Sequence, residues 1–287
     1  MTGNIEIINP SYPRGPFQAV IFDFDGTLSL LRRNWQDVMI PMMVEVLAAT
    51  GTSETRKQLE EHVEEYVMRL NGRQTIYQMI RLAEEVRLRG GVPRDPIEYK
   101  RQYHELLWQR VGKRVEAVRS GRIPPDEMTV PGSRELLRAL VDRGLVLYLA
   151  SGTDLAYVRD ELNVLGLGEF FGPRVYGALD DYRKFSKAMI IEQIIRDTGV
   201  PGRCILGFGD GFVEIEEVKR VGGLAVGVAS NEETRQGIND WKRNRLVRAG
   251  ADLIIGDYRH REELFETIFA EGESPSCRTL SSTARDS

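Results

Sequence analysis

The sequence predicts an α/β protein: a doubly wound parallel sheet with an all-helical domain inserted after its first core strand. Two observations carry this. Apolar runs without alternation at residues 19–22, 145–150, 203–208 and 224–229 read as strands buried on both faces, with helical periodicities between them. Buried strands alternating with helices mean a parallel sheet covered on both sides. Between the first two runs, residues 31–123 show helical periodicity and no convincing strand. The core therefore takes residues 1–30 and 124–270, and the helical insertion takes residues 31–123.

The elements follow in order. Residues 1–16, with three prolines and two glycines, form a lead-in to the first strand. Asn34 is expected to cap a helix running to Ala49, with Pro41 as a kink or break, since an interior proline costs about 3 kcal/mol. Ser53 is expected to cap the next, in which Leu59, Val63, Tyr66 and Val67 share a face, and Gly72 to stop it. Thr75 opens a third helix closed by Gly90-Gly91. Asp95-Pro96 is an N-cap followed by proline at the first helical position, opening a long helix towards Val118.

Pro124-Pro125 brings the chain back to the core. Ser133 is expected to cap a short helix stopped by Gly144; the second buried strand, a helix through Leu155, Val158 and Leu162, and a strand at 174–176 follow. Ser186 caps a helix carrying Ile190, Ile191 and Ile194. The last strand is expected at 252–255, with a helix to about Ala270, and residues 271–287, rich in Ser and Thr, are expected to be disordered.

Composition excludes several roles. At 287 residues, 41% hydrophobic and with formal charge -4, the chain gives no reason to expect nucleic acid or an anionic membrane as partner. No run approaches the roughly 20 apolar residues of a spanning helix, and the first residues lack the basic flank and apolar core of a signal peptide, so a cytoplasmic location is expected. Cys204 and Cys277 are no disulfide framework, and His62, His104 and His260 have no zinc-ligand spacing. Any metal would be held by oxygen.

Three apolar strands end in polar punctuation: Asp23-Phe24-Asp25-Gly26-Thr27, Ser151-Gly152-Thr153 and Gly209-Asp210-Gly211. In a parallel sheet these endings lie along one edge, where they can converge on one small ligand. A phosphate monoester brought to Asp23, Asp25, Asp210 and Glu214 meets like charge, and each unit pair about 4 Å apart is unfavourable by on the order of 4 kcal/mol at an effective dielectric near 20. Magnesium, octahedral and oxygen-loving, can bridge such carboxylates to phosphate oxygens. Gly207-Phe208-Gly209-Asp210-Gly211 is not a dinucleotide loop, because Phe212 stands where the third glycine is required.

These residues resemble the haloacid dehalogenase superfamily, whose hallmark is a strand ending in D-x-D-G-T. Its second motif, a Ser or Thr ending the next strand, falls on Ser151; its lysine on Lys187 or alternatively Lys184; and its acidic motif on Gly209, Asp210 and Glu214. The four motifs stand in the family's order, and Glu214 is the departure, since Asp is commoner there. The longer arm leaves direct and water-mediated metal contact both open.

The resemblance implies a Rossmann-like core under a helical cap and a Mg2+-dependent phosphatase acting on a small phosphorylated metabolite such as a sugar or polyol phosphate. It implies Asp23 as the nucleophile that forms an aspartyl-phosphate and Asp25 as general acid, then base. Gly26, Thr27, Ser151, Gly152 and Lys187 would bind the phosphoryl group, and Asp23, the Asp25 carbonyl, Asp210 and Glu214 the metal. An acid two residues after the nucleophile excludes, by the same resemblance, dehalogenases and phosphonate-cleaving members. A phosphomutase and a non-catalytic binding protein on the same fold are the alternatives.

In the insertion, Arg32, Arg33, Arg73 and Gln74 are candidate substrate contacts, Arg73 and Gln74 because they lie in a polar turn between helices. Trp35, Trp108 and the cluster Met39, Met42 and Met43 are expected in the insertion's own core. Trp241-Lys242-Arg243 falls outside the motifs, and a solvated helix or an oligomer contact is expected there.

Overall fold

The computed structural model describes residues 5–179 and 181–269, so the expected disorder of 271–287 lies outside the described residues. Among them, one sheet holds β1 (Ile5–Ile7), β2 (Ala19–Phe22), β3 (Val146–Asp154), β4 (Val175–Ala178), β5 (Ile205–Gly209), β6 (Leu224–Val228) and β7 (Leu253–Ile255). The order across it is β1-β7-β6-β5-β2-β3-β4, parallel throughout except where β1 pairs antiparallel with β7. β2 therefore lies between β3 and β5, with Phe22 in register with Leu149 on one side and Phe208 on the other. Its alternation divides the core: Val20 and Phe22 join the apolar cluster on one face of the sheet, Ala19 and Ile21 the cluster on the other.

Between β2 and β3 stand four helices of the insertion, α1 (Gln36–Ala48), α2 (Arg56–Arg69), α3 (Thr75–Leu88) and α4 (Pro96–Arg119). Their buried faces, including Met39, Met42, Met43, Val63, Met79 and Leu107, run continuously into the cluster that holds Phe22. The remaining helices are α5 (Ser133–Asp142), α6 (Leu155–Val164), α7 (Gly168–Phe171), α8 (Lys187–Thr198), α9 (Phe212–Arg220), α10 (Asp240–Arg248) and α11 (Arg261–Ile268). No helix among the described residues is long and apolar enough to cross a membrane.

Local chemistry explains where the elements start. Asp95 caps α4, its carboxylate accepting from the Ile97 N–H at 2.8 Å, and Ser186 caps α8, accepting from Met189 N–H at 3.1 Å. Three expected caps are corrected. Thr55, not Ser53, caps α2, through a reciprocal box with Gln58. Asn34 stands outside α1 at φ +62°, and Trp35 takes the cap position. Ser133 is the first residue of α5, where its hydroxyl donates to the Val130 carbonyl at 2.6 Å; the cap position is Gly132, at φ +81°, where a Cβ would strike the Tyr258 backbone. Pro41 lies inside α1 without ending it, because the carbonyl it deprives of a donor belongs to Asp37, in an exposed first turn open to water.

Candidate active site

Because β2, β3 and β5 are parallel neighbours, the three polar strand endings meet at one edge. The Asp23 N–H donates to the Phe208 carbonyl at 2.9 Å, which sets Asp23 beside the end of β5. The chain then turns: the N–H groups of Thr27, Leu28 and Ser29 converge on the Phe24 carbonyl, and Gly26 takes φ +75°. A Cβ on Gly26 would collide with the Asp210 carboxylate, so the turn requires glycine here both for its dihedral and for the close approach.

Asp23 is buried and its Oδ1 accepts from Lys187 Nζ at 2.8 Å. Lys187, buried at the start of α8, also pairs with Glu214 Oε1 from α9. Lys184 is exposed and faces Asp181 at 3.5 Å, so Lys187 is the lysine that reaches the strand edge. Asp25 is held differently. Its Oδ2 accepts from the Thr153 hydroxyl at 2.8 Å and the Ser151 hydroxyl at 3.4 Å, and its nearest cation is Arg32 Nε at 3.8 Å. That guanidinium is already engaged by Glu161, through Nε at 3.1 Å and Nη2 at 2.6 Å, and Glu161 is fully buried.

Burial pushes the carboxyls of both Asp23 and Asp25 up to about 6; Lys187 opposes this for Asp23 and Arg32 opposes it for Asp25, while the Asp210 charge adds to the rise in each. Two carboxylates on one strand end thus have unlike partners. One is bonded to an ammonium, the other to hydroxyls.

Thr27 does not line the cavity at this edge. Its hydroxyl accepts the Asp210 N–H at 3.0 Å and its carbonyl accepts from the Tyr258 hydroxyl at 2.9 Å, so it ties the first turn to the loop after β5 rather than facing a ligand. Arg33 is also outside: it does not line the cavity, and its carbonyl accepts from Arg114 Nη1 at 2.9 Å. Gln74, too, is occupied elsewhere, with Nε2 donating to the carbonyls of Tyr182 at 2.9 Å and Phe185 at 2.7 Å. It docks the α2–α3 loop onto the segment leading to Lys187.

Arg32 and Arg73 do line the cavity, with Trp35, Met39, Tyr103 and Leu107 on the side of the insertion. Arg73 is exposed and its side chain has no partner among the described residues. Its carbonyl lies where a Cβ on Gly152 would stand, at 2.8 Å, so the loop sits directly on the end of β3. Met39, Met42 and Met43 are buried as expected, but Met39 and the half-buried Trp35 also face the cavity, whose volume is about 90 Å³.

Sequence reasoning missed Lys242. It is buried, and Nζ lies 2.8 Å from Asp210 Oδ2, 2.6 Å from Glu232 Oε1 and 3.2 Å from Ser230 Oγ. Although burial pulls the other way, Asp210 and Glu232 hold this ammonium above its usual pKa. Trp241 is exposed, as a solvated helix would have it, but Arg243 is half-buried against Glu6 and Lys242 is buried, so the expectation of a solvated helix fails for Lys242. The available signal was its spacing of four residues from Leu246, which puts both on the helix face that turns inward.

The residues fit a divalent cation. Asp23 and Asp210 each give one oxygen to a lysine; their other oxygens, and the Asp25 carbonyl, accept no hydrogen bond among the described residues, and Glu214 Oε2 is buried without a partner. Six carboxylates (Asp23, Asp25, Glu161, Asp210, Glu214 and Glu232) face three buried cations, Arg32, Lys187 and Lys242. Among the described residues, no three His, Cys, Asp or Glu side chains stand together closely enough to hold a metal ion by themselves.

No curated protein matches the chain significantly. Solved structures share the fold at low identity. A predicted phosphoglycolate phosphatase from Haemophilus somnus 129PT aligns at 16% identity and TM-score 0.57, over 87% of this chain and 98% of that one. A haloacid dehalogenase family hydrolase from Deinococcus radiodurans R1, with bound phosphate and sodium, aligns at 18% and 0.50, over 88% and 96%. A β-phosphoglucomutase from Clostridium difficile aligns at 16% and 0.51, over 81% and 98%. Such identities speak for the fold alone. The family model described as haloacid dehalogenase-like hydrolase matches residues 17–222, from β2 past α9, and so takes in Asp23, Asp25, Ser151, Lys187, Asp210 and Glu214. The chain belongs to the haloacid dehalogenase-like hydrolases.

Proposed function

We propose that this protein is a magnesium-dependent phosphatase that hydrolyses a small phosphorylated metabolite, of the sugar or polyol phosphate type, with helices α1–α4 as a cap over the site. The observation that carries the reading is the unlike partnering of Asp23 and Asp25. Environments that differ between neighbouring carboxyls separate a nucleophile from an acid. Lys187, in contact with Asp23, favours its ionised form, and Asp23 Oδ2 carries no hydrogen bond among the described residues. Asp25 has hydroxyls and the more distant Arg32 in place of an ammonium, and burial raises its carboxyl to about 6 against both.

Asp23 then attacks phosphorus in line, forming an O–P bond while the bond to the alcohol breaks. Asp25 gives its proton to the leaving oxygen, and in the second step takes one from the water that attacks the aspartyl-phosphate and frees Asp23. The Ser151 hydroxyl, the backbone at Gly152 and the Lys187 ammonium hold phosphoryl oxygens. Asp23, the Asp25 carbonyl and Asp210 would hold the divalent cation, with Glu214 behind them; when bound it neutralises charge between the phosphoryl oxygens and these carboxylates.

The fold neighbour with bound phosphate supports a phosphoryl ligand. The cavity, at about 90 Å³, is smaller than the roughly 150 Å³ that admits benzene, so a leaving group of more than a few atoms requires the cap to move.

Replacement of Asp23 by Asn tests the reading. Turnover of an aryl phosphate should fall by about 10⁴-fold or more, and trapping of the phospho-enzyme should vanish, in a protein with unchanged circular dichroism. Near-normal turnover refutes the nucleophile assignment. The β-phosphoglucomutase neighbour favours a phosphomutase as the second reading, recognised by a sugar phosphate that is isomerised rather than hydrolysed. A binding protein without activity would turn over neither.

A further inference from the structure

Lys242 is not used by the proposed reaction, yet it is among the few buried cations at this edge. Its ammonium is held from three sides, by Asp210 Oδ2 at 2.8 Å, Glu232 Oε1 at 2.6 Å and Ser230 Oγ at 3.2 Å. The clamp is anchored twice. The Ser230 hydroxyl donates to the Gly26 carbonyl at 2.6 Å, inside the turn that carries Asp25, and the Asn239 side chain accepts the Lys242 N–H at 3.0 Å, which fixes the start of α10. Glu232 balances the ammonium, so the clamp adds little net charge.

We propose that Lys242 is a positioning residue that makes Asp210 a one-oxygen ligand and thereby favours magnesium over calcium. The inference rests on the reading of Asp23 and Asp210 as metal-holding residues. Magnesium needs near-ideal octahedral geometry and takes carboxylates through single oxygens; calcium accepts six to eight oxygens and gains from carboxylates that chelate through both. With Oδ2 of Asp210 on Lys242, only Oδ1 is left. A calcium ion therefore meets a single Asp210 oxygen where it would gain from a chelating pair.

Calorimetric titration of the substrate-free protein with magnesium and with calcium, in wild type and Lys242→Met, tests this. The variant loses a positive charge and should bind both ions more tightly, with the preference moved towards calcium by about fivefold or more. A smaller shift in the ratio overturns the inference. Should Lys242→Met not fold, the crystal structure of the wild-type protein with calcium decides: Asp210 bound through one oxygen with Lys242 still on the other upholds it, and Asp210 chelating through both overturns it. Wild-type protein that binds neither ion overturns the metal-site reading and this inference together, whereas binding with an unchanged preference in the variant overturns this inference alone.

Discussion

Arg32 and Glu161 form an ion pair in which neither partner reaches water: the carboxylate is 0% exposed and the arginine 8%. Removal of one partner leaves an uncompensated buried charge. Arg32→Met should therefore lose about 3–5 kcal/mol of unfolding free energy in urea, and Arg32→Met combined with Glu161→Met should regain most of it. A single variant within about 1 kcal/mol of wild type would contradict the burial argument. Arg32 was legible as a candidate because it follows the first motif closely. Glu161 was not, since an acid within an amphipathic helix reads as solvated until a partner 129 positions away is placed against it.

Among the elements, the α2–α3 loop has the largest consequence for the site. It rests on the end of β3, where Gly152 faces the Arg73 carbonyl, and on the segment before α8, where Gln74 bonds two carbonyls. Gly152→Ala introduces a Cβ 2.8 Å from that carbonyl oxygen, and backbone rather than a flexible side chain must move. The expected result is a fall of about tenfold in kcat/KM on a small phosphate ester, with unfolding free energy lowered by about 1–3 kcal/mol. An unchanged kcat/KM would mean that this contact has no part in the reaction. Helix existence here was plain from periodicity, but start points were not: Thr55 and Ser53 are both competent caps, and the Gln58 that completes the box decides between them. β1 was hidden because three residues in a proline-rich lead-in become a strand only through pairing with β7.

For the whole molecule, the surplus of acid at one edge makes stability without metal depend on pH. Asp23 and Asp25 titrate at about 6 in the fold against 3.8 in ordinary surroundings, first because of burial. Between these values the folded state keeps protons that the unfolded chain has released, so these groups contribute less stability as pH rises through the window, and their penalty is complete above it. Other carboxylates titrate in the same range, so the informative quantity is the melting temperature of Asp25→Asn minus that of wild type, both metal-free. That difference should grow more positive, by about 2–4 °C, from about pH 4.5 to pH 7. Asp25 is a quarter exposed, which keeps the amplitude at the low end. A difference independent of pH would refute the assignment of a raised carboxyl to Asp25.

The order of buried runs and periodic stretches was enough to specify a doubly wound sheet with a helical insertion, and the three strand endings were enough to place Asp23, Asp25, Ser151 and Asp210 at one edge, whereas Lys187 or Lys184 and Glu214 came from the family resemblance. Both are local properties: burial on two faces needs continuous apolar residues, and a parallel sheet sends every strand ending to the same side. What required the folded chain was the pairing of charges. Lys187 over Lys184, Glu161 behind Arg32, and Lys242 on Asp210 are contacts between segments remote in sequence. A charged side chain carries no local mark of whether water or a buried counter-ion will meet it, and only packing brings the counter-ion into place.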